Sequence, residues 1–358
     1  MNKKVMVGMS GGVDSSVSAL LLREQGYDVM GVTLKMFGDE DIVQAEKEGK
    51  TCCALNDVLD ARSVAYKLGF EHLTFNFRDC FREKVMKHFA DSYISGRTPN
   101  PCIECNRHVK FDKMMRRAFE LGYDYIATGH YAVIEYDYER QRYLLKRPSD
   151  RQKDQTYVLY SLTQEQLAHT LFPLGKLNKA QVREIAERAG LVNSDKPDSQ
   201  DICFVPDGKY AEFIKKFAGF NATEGDFVGM NGEKLGTHKG IINYTIGQRK
   251  GLGIALGKPA YVVRKDIATN TVVIGDEQDL YTSELIAEDV NLISVESISE
   301  PLRITAKTRY GQTEQPATLF CENNTYRVVF DTPQRAVTSG QAVVFYDDDI
   351  VVGGGTIV

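Results

Sequence analysis

Lys3-Lys4-Val5-Met6-Val7-Gly8-Met9-Ser10-Gly11-Gly12-Val13-Asp14-Ser15-Ser16 decides the fold. The run ending at Val7 is apolar and of strand length. Residues 17–26 carry helical apolar spacing, with Ser15 or Ser16 near the start and Gly26 past the end. The segment between is a loop leading from a strand into a helix, where α/β proteins bind anions. Two adjacent glycines let the backbone approach a phosphate with no Cβ in the way. The Ser10 hydroxyl and the amides at the helix start can donate to phosphate oxygens, and the helix dipole adds a favourable field. A ligand-free turn would explain one serine and one glycine, not the whole string. No Gly-Lys-Ser/Thr follows, so this is not the Walker loop.

Outward from the loop, a second strand is expected at 28–35, giving a right-handed strand–helix–strand crossover and a parallel sheet. Residues 38–50 are charged and read as a surface loop or short helix. Cys52 and Cys53 read as buried small residues before a helix at 55–69. A strand at 71–77 and a helix at 80–94 follow. The glycine, prolines and asparagine of 96–107 read as a loop carrying Cys102 and Cys105. A helix is expected at 110–121, a strand at 123–128, a hairpin at 133–147, and helices at 163–170 and 178–189. Residues 225–280 are glycine-rich with short strands. Alternating segments at 303–308, 315–320, 325–330, 341–346 and 350–353 then read as a small β-barrel or sandwich. The fold class expected is α/β: a doubly wound parallel sheet domain over 1–215, a small mixed central domain over 216–282, and a C-terminal β-barrel over 283–358.

The chain has 358 residues, 42% hydrophobic and 26% charged, which is ordinary for a soluble globular protein of two or three domains. No apolar run approaches membrane-spanning length. Residues 1–4 run straight into the first strand and leave no room for a signal peptide, so a cytoplasmic location is expected. Seven cysteines without an export signal point to thiol chemistry or metal binding rather than a disulfide framework. Cys102 and Cys105 form a C-x-x-C, but no second pair lies near Cys203, so no structural zinc site is expected. The net charge of −5 argues against indiscriminate nucleic-acid binding, not against a local basic face. Two basic groups flank the cysteines: Arg107, His108, Lys110, Lys113, Arg116 and Arg117, then Arg140, Arg142, Lys146, Arg147, Arg151 and Lys153. They are expected to form a phosphate-binding face, with Tyr131, Tyr157 and Tyr310 available to stack on an unpaired base.

The Gly8–Ser15 string resembles the SGGxDS loop of the PP-loop ATP pyrophosphatases, in which AMP is placed on a substrate oxygen and pyrophosphate leaves. With six further motifs, the resemblance extends along the whole chain to the bacterial tRNA-specific 2-thiouridylases. Those motifs are Asn100-Pro101 with Cys105-Asn106, Thr128-Gly129-His130-Tyr131, Lys153-Asp154-Gln155, residues 198–204 ending Cys203-Phe204, Arg309-Tyr310, and Ser339-Gly340-Gln341. The resemblance implies that Gly8, Met9, Ser10, Gly11, Gly12, Val13, Asp14, Ser15 and Gly129 contact ATP, which comes with Mg2+. It implies that Leu34 lines the adenine pocket. Asn100, Pro101 and Cys102 would face the target base, and His130, Lys153, Asp154, Gln155, Arg309, Tyr310 and Gln341 would contact tRNA. Cys105 would be the nucleophile and Cys203 the persulfide carrier. A disulfide between those two would be a redox state of the relay rather than a structural bond. The implied partners are the tRNAs for Lys, Glu and Gln and a cysteine desulfurase or sulfur-relay protein.

The residue types suit that chemistry. A uridine C2 carbonyl is a poor electrophile, and adenylating its oxygen makes AMP the leaving group. The incoming sulfur must be ionised, and a second thiol can free it by exchange. One departure stands out: many relatives carry an acidic residue where this chain has Cys102. Two readings stay open, a persulfide relay or a [4Fe–4S] cluster held by Cys102, Cys105 and Cys203. A different class, a PP-loop ligase acting on a small molecule, would need ammonia and no paired cysteines. A tRNA-binding protein with a dead nucleotide site would not need the complete loop.

Overall fold

The computed structural model describes residues 2–36, 55–197, 202–205, 208–323 and 325–358. The expectations for 38–50, Cys52, Cys53 and residues 198–201 lie outside them. Strand β1 (Lys4–Gly8) leads into the loop and then the helix Val13–Glu24, which returns to β2 (Asp28–Lys35). The helix Leu55–Leu68 leads to β3 (His72–Asn76). A long helical stretch, Arg78–Phe81, Arg82–Lys87 and His88–Ile94, precedes a second at Pro101–Cys105, Asn106–Lys113 and Met114–Glu120. Then come β4 (Tyr125–Thr128), the hairpin β5 (Val133–Asp137) and β6 (Arg142–Lys146), and the short β7 (Thr170–Leu171). The first sheet has the order β3-β2-β1-β4-β7, and every neighbouring pair is parallel. The chain winds outward from β1 through β2 to β3, then crosses to the other side of β1 for β4. The switch point therefore lies between the carboxyl ends of β1 and β4, where open α/β sheets bind ligands.

Central residues form a second sheet, β10-β11-β8-β9, from β8 (Gly225–Val228), β9 (Lys234–His238), β10 (Tyr261–Asp266) and β11 (Thr271–Gly275). The last part is a barrel of β12 (Tyr281–Leu292), β13 (Leu302–Lys307), β14 (Gln315–Glu322), β15 (Thr325–Arg335), β16 (Ala342–Asp347) and β17 (Ile350–Ile357). Its order is β12-β15-β14-β13-β16-β17, and β12 pairs with β17, so six antiparallel strands close on themselves. Closure leaves no open edge among the six.

The structure departs from the expectations at four places. The first helix starts at Val13 with Gly12 as its cap, two or three residues before the serines. Ser15 and Ser16 turn their hydroxyls back to the Gly12 carbonyl at 3.1 Å each, bracing the loop from inside. Residues 101–105 are helical, not loop: Asn100 Oδ1 accepts from the Cys102 amide at 3.1 Å and Pro101 opens the helix, where its missing N–H costs nothing. The closing strand β12 has no clean alternation and is not among the strands anticipated. The hairpin β5–β6 joins the barrel's sheet through Ile350 and Lys146, although it lies early in the chain. One apolar core accordingly runs from Met6, Leu34 and Phe111 through Tyr157 and Tyr160 to Val344, Tyr346 and Val351 of the barrel. Gly354 permits that contact, since a Cβ there would come within 2.7 Å of the Tyr160 ring.

Candidate functional site

The loop sits where β1 ends. Gly11 has φ +75, and a Cβ on it would meet the Asp57 carbonyl oxygen at 2.4 Å, so the turn requires glycine. Met9 N donates to Val32 O at 2.7 Å, and Thr33 Oγ1 donates back to Met9 O at 2.8 Å, which ties the loop to β2. Ser10 N donates to Ser15 Oγ at 3.2 Å. The first intrahelical bond is Ser16 N to Gly12 O, so the amides of Gly12 to Ser15 have no acceptor in the helix. At the end of β4, Gly129 lies against them: a Cβ there would be 2.7 Å from Ser15 N. The switch-point crevice therefore brings the loop and Gly129 together. Leu34 is buried near the end of β2.

Four side chains brace this loop, and sequence reasoning missed three of them, Lys179, Asn193 and Lys196. Lys179 Nζ donates to both oxygens of Asp14 at 2.8 Å, and Tyr131 Oη donates to Asp14 Oδ1 at 2.8 Å. Asn193 Nδ2 donates to Gly11 O and Ser16 Oγ, each at 2.9 Å. Lys196 pairs with Asp57 and Asp60 and reaches Gly11 O at 3.3 Å. The available signal was thin: Asn178 and Gln181 mark a helix start, but nothing local links Lys179 to Asp14.

The cysteine helix begins one strand over. Cys102 is exposed on its first turn and Cys105 is buried, with its Sγ 3.8 Å from Met36 Sδ just beyond β2. Cys203 and Phe204 pack against the same core as Cys105. Phe204 is held edge-on by Phe81 at 5.7 Å and Phe89 at 5.3 Å between ring centroids. Behind the helix, Glu104 lies 3.2 Å from His108. Burial raises the Glu104 pKa, but the His108 hydrogen bond and Arg107 outweigh it, leaving the carboxyl below its ordinary value. The segment before Cys102 is fixed by the barrel. Thr98 N donates to Ser339 O at 2.8 Å, Gln341 Nε2 donates to Thr98 O at 2.7 Å, and Gly340 fits with φ +86.

The [4Fe–4S] alternative is not favoured. Among the described residues, which include Cys102, Cys105 and Cys203, no three Cys, His, Asp or Glu side chains gather as metal ligands.

Of the expected tRNA contacts, Asp154 and Tyr310 line a cavity of about 570 Å3 between residues 147–154 and the barrel turn after β13, with Arg147, Arg151 and Lys307. Burial pushes the Tyr310 hydroxyl up, and Asp154 and Cys102 add to the shift. Lys153 is half-buried nearby. Other residues are held differently. His130 is buried between Phe111 and Phe172 with Nδ1 2.7 Å from Thr128 Oγ1, and burial drives its pKa well below the ordinary value. Gln155 Oε1 accepts from Tyr131 N at 2.9 Å. Arg309 Nη2 donates to Ala336 O at 2.7 Å and Thr338 Oγ1 at 2.9 Å.

Many residues of the expected basic face have partners within the chain. Arg107 pairs with Asp289, Arg116 with Asp112, Arg117 with Glu120, Arg140 with Asp137, Lys146 with Glu135 and Asp349, and Arg147 with Glu314. Arg142 donates to the carbonyls of Leu292 and Ile293. Tyr131 and Tyr157 are buried, whereas Tyr310 is 45% exposed. Asp289, Asp349 and Glu314 lie far along the chain and are not revealed by the clustering, whereas Asp112, Glu120 and Asp137 are near neighbours in sequence.

Three family models cover the chain end to end: a tRNA methyl transferase HUP domain at 3–207, a tRNA methyl transferase PRC-barrel domain at 211–276, and an aminomethyltransferase β-barrel domain at 282–357. Full-length relatives are named tRNA-specific 2-thiouridylase MnmA. That of Clostridioides difficile is 55% identical over 358 residues, covering 100% of this chain and 98% of the relative. That of Acetivibrio thermocellus is 57% identical over 356 residues, covering 99% of each. That of Clostridium acetobutylicum is 51% identical over 359 residues, covering 100% of each. The domain descriptions speak of methyl transfer, but identity above one half along whole chains outweighs a domain label, and a PP-loop at the sheet's switch point suits nucleotide chemistry. The chain belongs to the tRNA-specific 2-thiouridylase family.

Proposed function

We propose that this chain catalyses the ATP-dependent 2-thiolation of the wobble uridine of tRNA. The observation that carries the reading is the shared carboxyl edge of β1 and β2: the phosphate loop leaves one strand, and Met36, beyond the other, touches Cys105. Residues 8–15 and Gly129 hold ATP, which arrives with Mg2+, and Leu34 borders the adenine. Asn100, Pro101 and Cys102 face the target base. The uridine O2 attacks the α-phosphorus while the base loses its N3 proton, and pyrophosphate leaves with the bonding electron pair. The terminal sulfur of a Cys203 persulfide attacks C2, and the C2–O bond breaks to release AMP. The Cys105 thiolate then attacks the Cys203 sulfur, the sulfur–sulfur bond breaks with its electron pair on the outgoing sulfur, and the 2-thio base departs as it regains a proton at N3. Two external thiols, or one dithiol, then reduce the resulting Cys105–Cys203 disulfide by exchange and leave as a disulfide themselves.

Asp154, Lys153 and Tyr310 form the tRNA-facing rim, while His130, Gln155, Arg309 and Gln341 support it from inside. Residues 1–215 carry the chemistry, with 216–282 and 283–358 presenting the tRNA. The enzyme acts in the cytoplasm on the tRNAs for Lys, Glu and Gln and receives sulfur from a cysteine desulfurase or relay protein. Among the described residues, no helix is long and apolar enough to cross a membrane. The test is incubation of unmodified tRNA with ATP and a persulfide donor: one AMP and one pyrophosphate should form per 2-thiouridine, and thiolation without ATP would refute the reading.

A further inference from the structure

Pyrophosphate gains negative charge as it leaves, and an active site stabilises such charge with fixed cations. The loop Gly8–Ser16 contains no lysine or arginine. We propose that Lys179 holds the β- and γ-phosphates of ATP and neutralises the departing pyrophosphate, with Asp14 as its positioning residue. The inference rests on the reading that the loop takes ATP.

Asp14 is the second residue of the helix Val13–Glu24, so an ammonium 2.8 Å from both of its oxygens stands within the first helical turn. That turn presents the amides of Gly12 to Ser15. Lysine and amides together offer donors to a bound polyphosphate, with the Asp14 carboxylate holding the ammonium at the edge of that cradle. The lysine is held from a rigid element. It opens the helix Lys179–Arg188, whose Asn178 cap and Gln181 form a reciprocal capping box, and its own amide donates to Asp150 Oδ2 at 3.0 Å. Lys179 and Asp14 side chains keep 13% and 29% of their surface, so the pair is neither sealed in the core nor loose in solvent. Lys196, a second lysine at the loop, pairs with Asp57 and Asp60 and touches the Gly11 carbonyl, so it braces the loop from behind.

Calorimetry on the full-length chain with ATP, AMP and inorganic pyrophosphate separates a phosphate ligand from a structural ion pair. Lys179→Ala should weaken ATP and pyrophosphate about 10- to 100-fold, the loss of one charge-assisted hydrogen bond, while AMP affinity stays unchanged. Lys179→Arg should restore most of the ATP affinity. In turnover, kcat for pyrophosphate release should fall more than KM for ATP rises, because the charge develops in the transition state. Should Lys179→Ala fail to fold, Lys179→Gln removes the charge at similar length and supports the same comparison. ATP and AMP weakening together, or ATP affinity unchanged, would overturn the assignment. Absence of ATP binding by the unsubstituted protein would instead overturn the underlying reading of the loop.

Discussion

Gly129→Ala tests whether the end of β4 belongs to the nucleotide site. A Cβ at this position would stand 2.7 Å from Ser15 N, 2.8 Å from Asp14 C and 3.0 Å from Asp14 Cβ. The nearest of these falls about 0.7 Å inside ordinary contact, and two of the three atoms are backbone, which cannot rotate away. Forcing a methyl into packed structure costs about 1–3 kcal/mol. If the loop yields, the Ser15 amide moves off its phosphate position, and that energy appears as ATP affinity weaker by about 5- to 150-fold. Titration calorimetry with ATP measures this, and tRNA binding by filter retention should stay near its original value. Gly26→Ala is the control. Gly26 has φ +87, unlike Gly129, and nothing lies within 4 Å of its added Cβ. That variant should lose about 1 kcal/mol of stability from backbone strain and none of the ATP affinity. Unaltered ATP binding by a folded Gly129→Ala variant would refute the argument.

Cys203→Ser and Cys105→Ser should each abolish 2-thiouridine formation but still release pyrophosphate on unmodified tRNA, whereas exposed Cys102→Ser should keep substantial activity; loss in all three, with iron in the original protein, would favour a cluster. Arg309→Ala should lower stability by about 1–3 kcal/mol through its unpaired carbonyl acceptors while leaving the salt slope of tRNA binding unchanged. Tyr310→Ala should weaken tRNA by about 1–3 kcal/mol if the ring stacks on a base, measured by filter retention. His130 has a folded pKa far below the ordinary 6.5, so it stays neutral in the fold and takes up a proton on unfolding. Its contribution is present above that value and is lost as pH falls through the window beneath it, by at most about 1.4 kcal/mol per pH unit. Denaturant midpoints of His130→Gln should lack this acid-side fall; parallel curves for the two proteins would show that His130 does not titrate this way.

The features legible in the sequence were those whose cause is local. The glycine string, the strand before it and the apolar period after it need only neighbouring residues to explain them, and the alternating runs after 300 likewise announce strands. The helix at Pro101 was misread because proline and asparagine serve both turns and helix starts, and only the Asn100 hydrogen bond to Cys102 decides between them. Tertiary partners were not legible. Nothing in the sequence around Arg309 announces its bonds to Ala336 and Thr338, and nothing around His130 announces Phe172. Lys179 was invisible for the same reason, since its partner Asp14 lies at the other end of the domain.

The most direct test of the central claim follows one oxygen atom. Unmodified tRNA bearing 18O at C2 of the wobble uridine is converted with ATP and a persulfide donor, and the AMP released is weighed by mass spectrometry. Adenylation of the base oxygen predicts one 18O in the AMP phosphate for each 2-thiouridine formed. AMP carrying only 16O, with the label recovered in water, would contradict it.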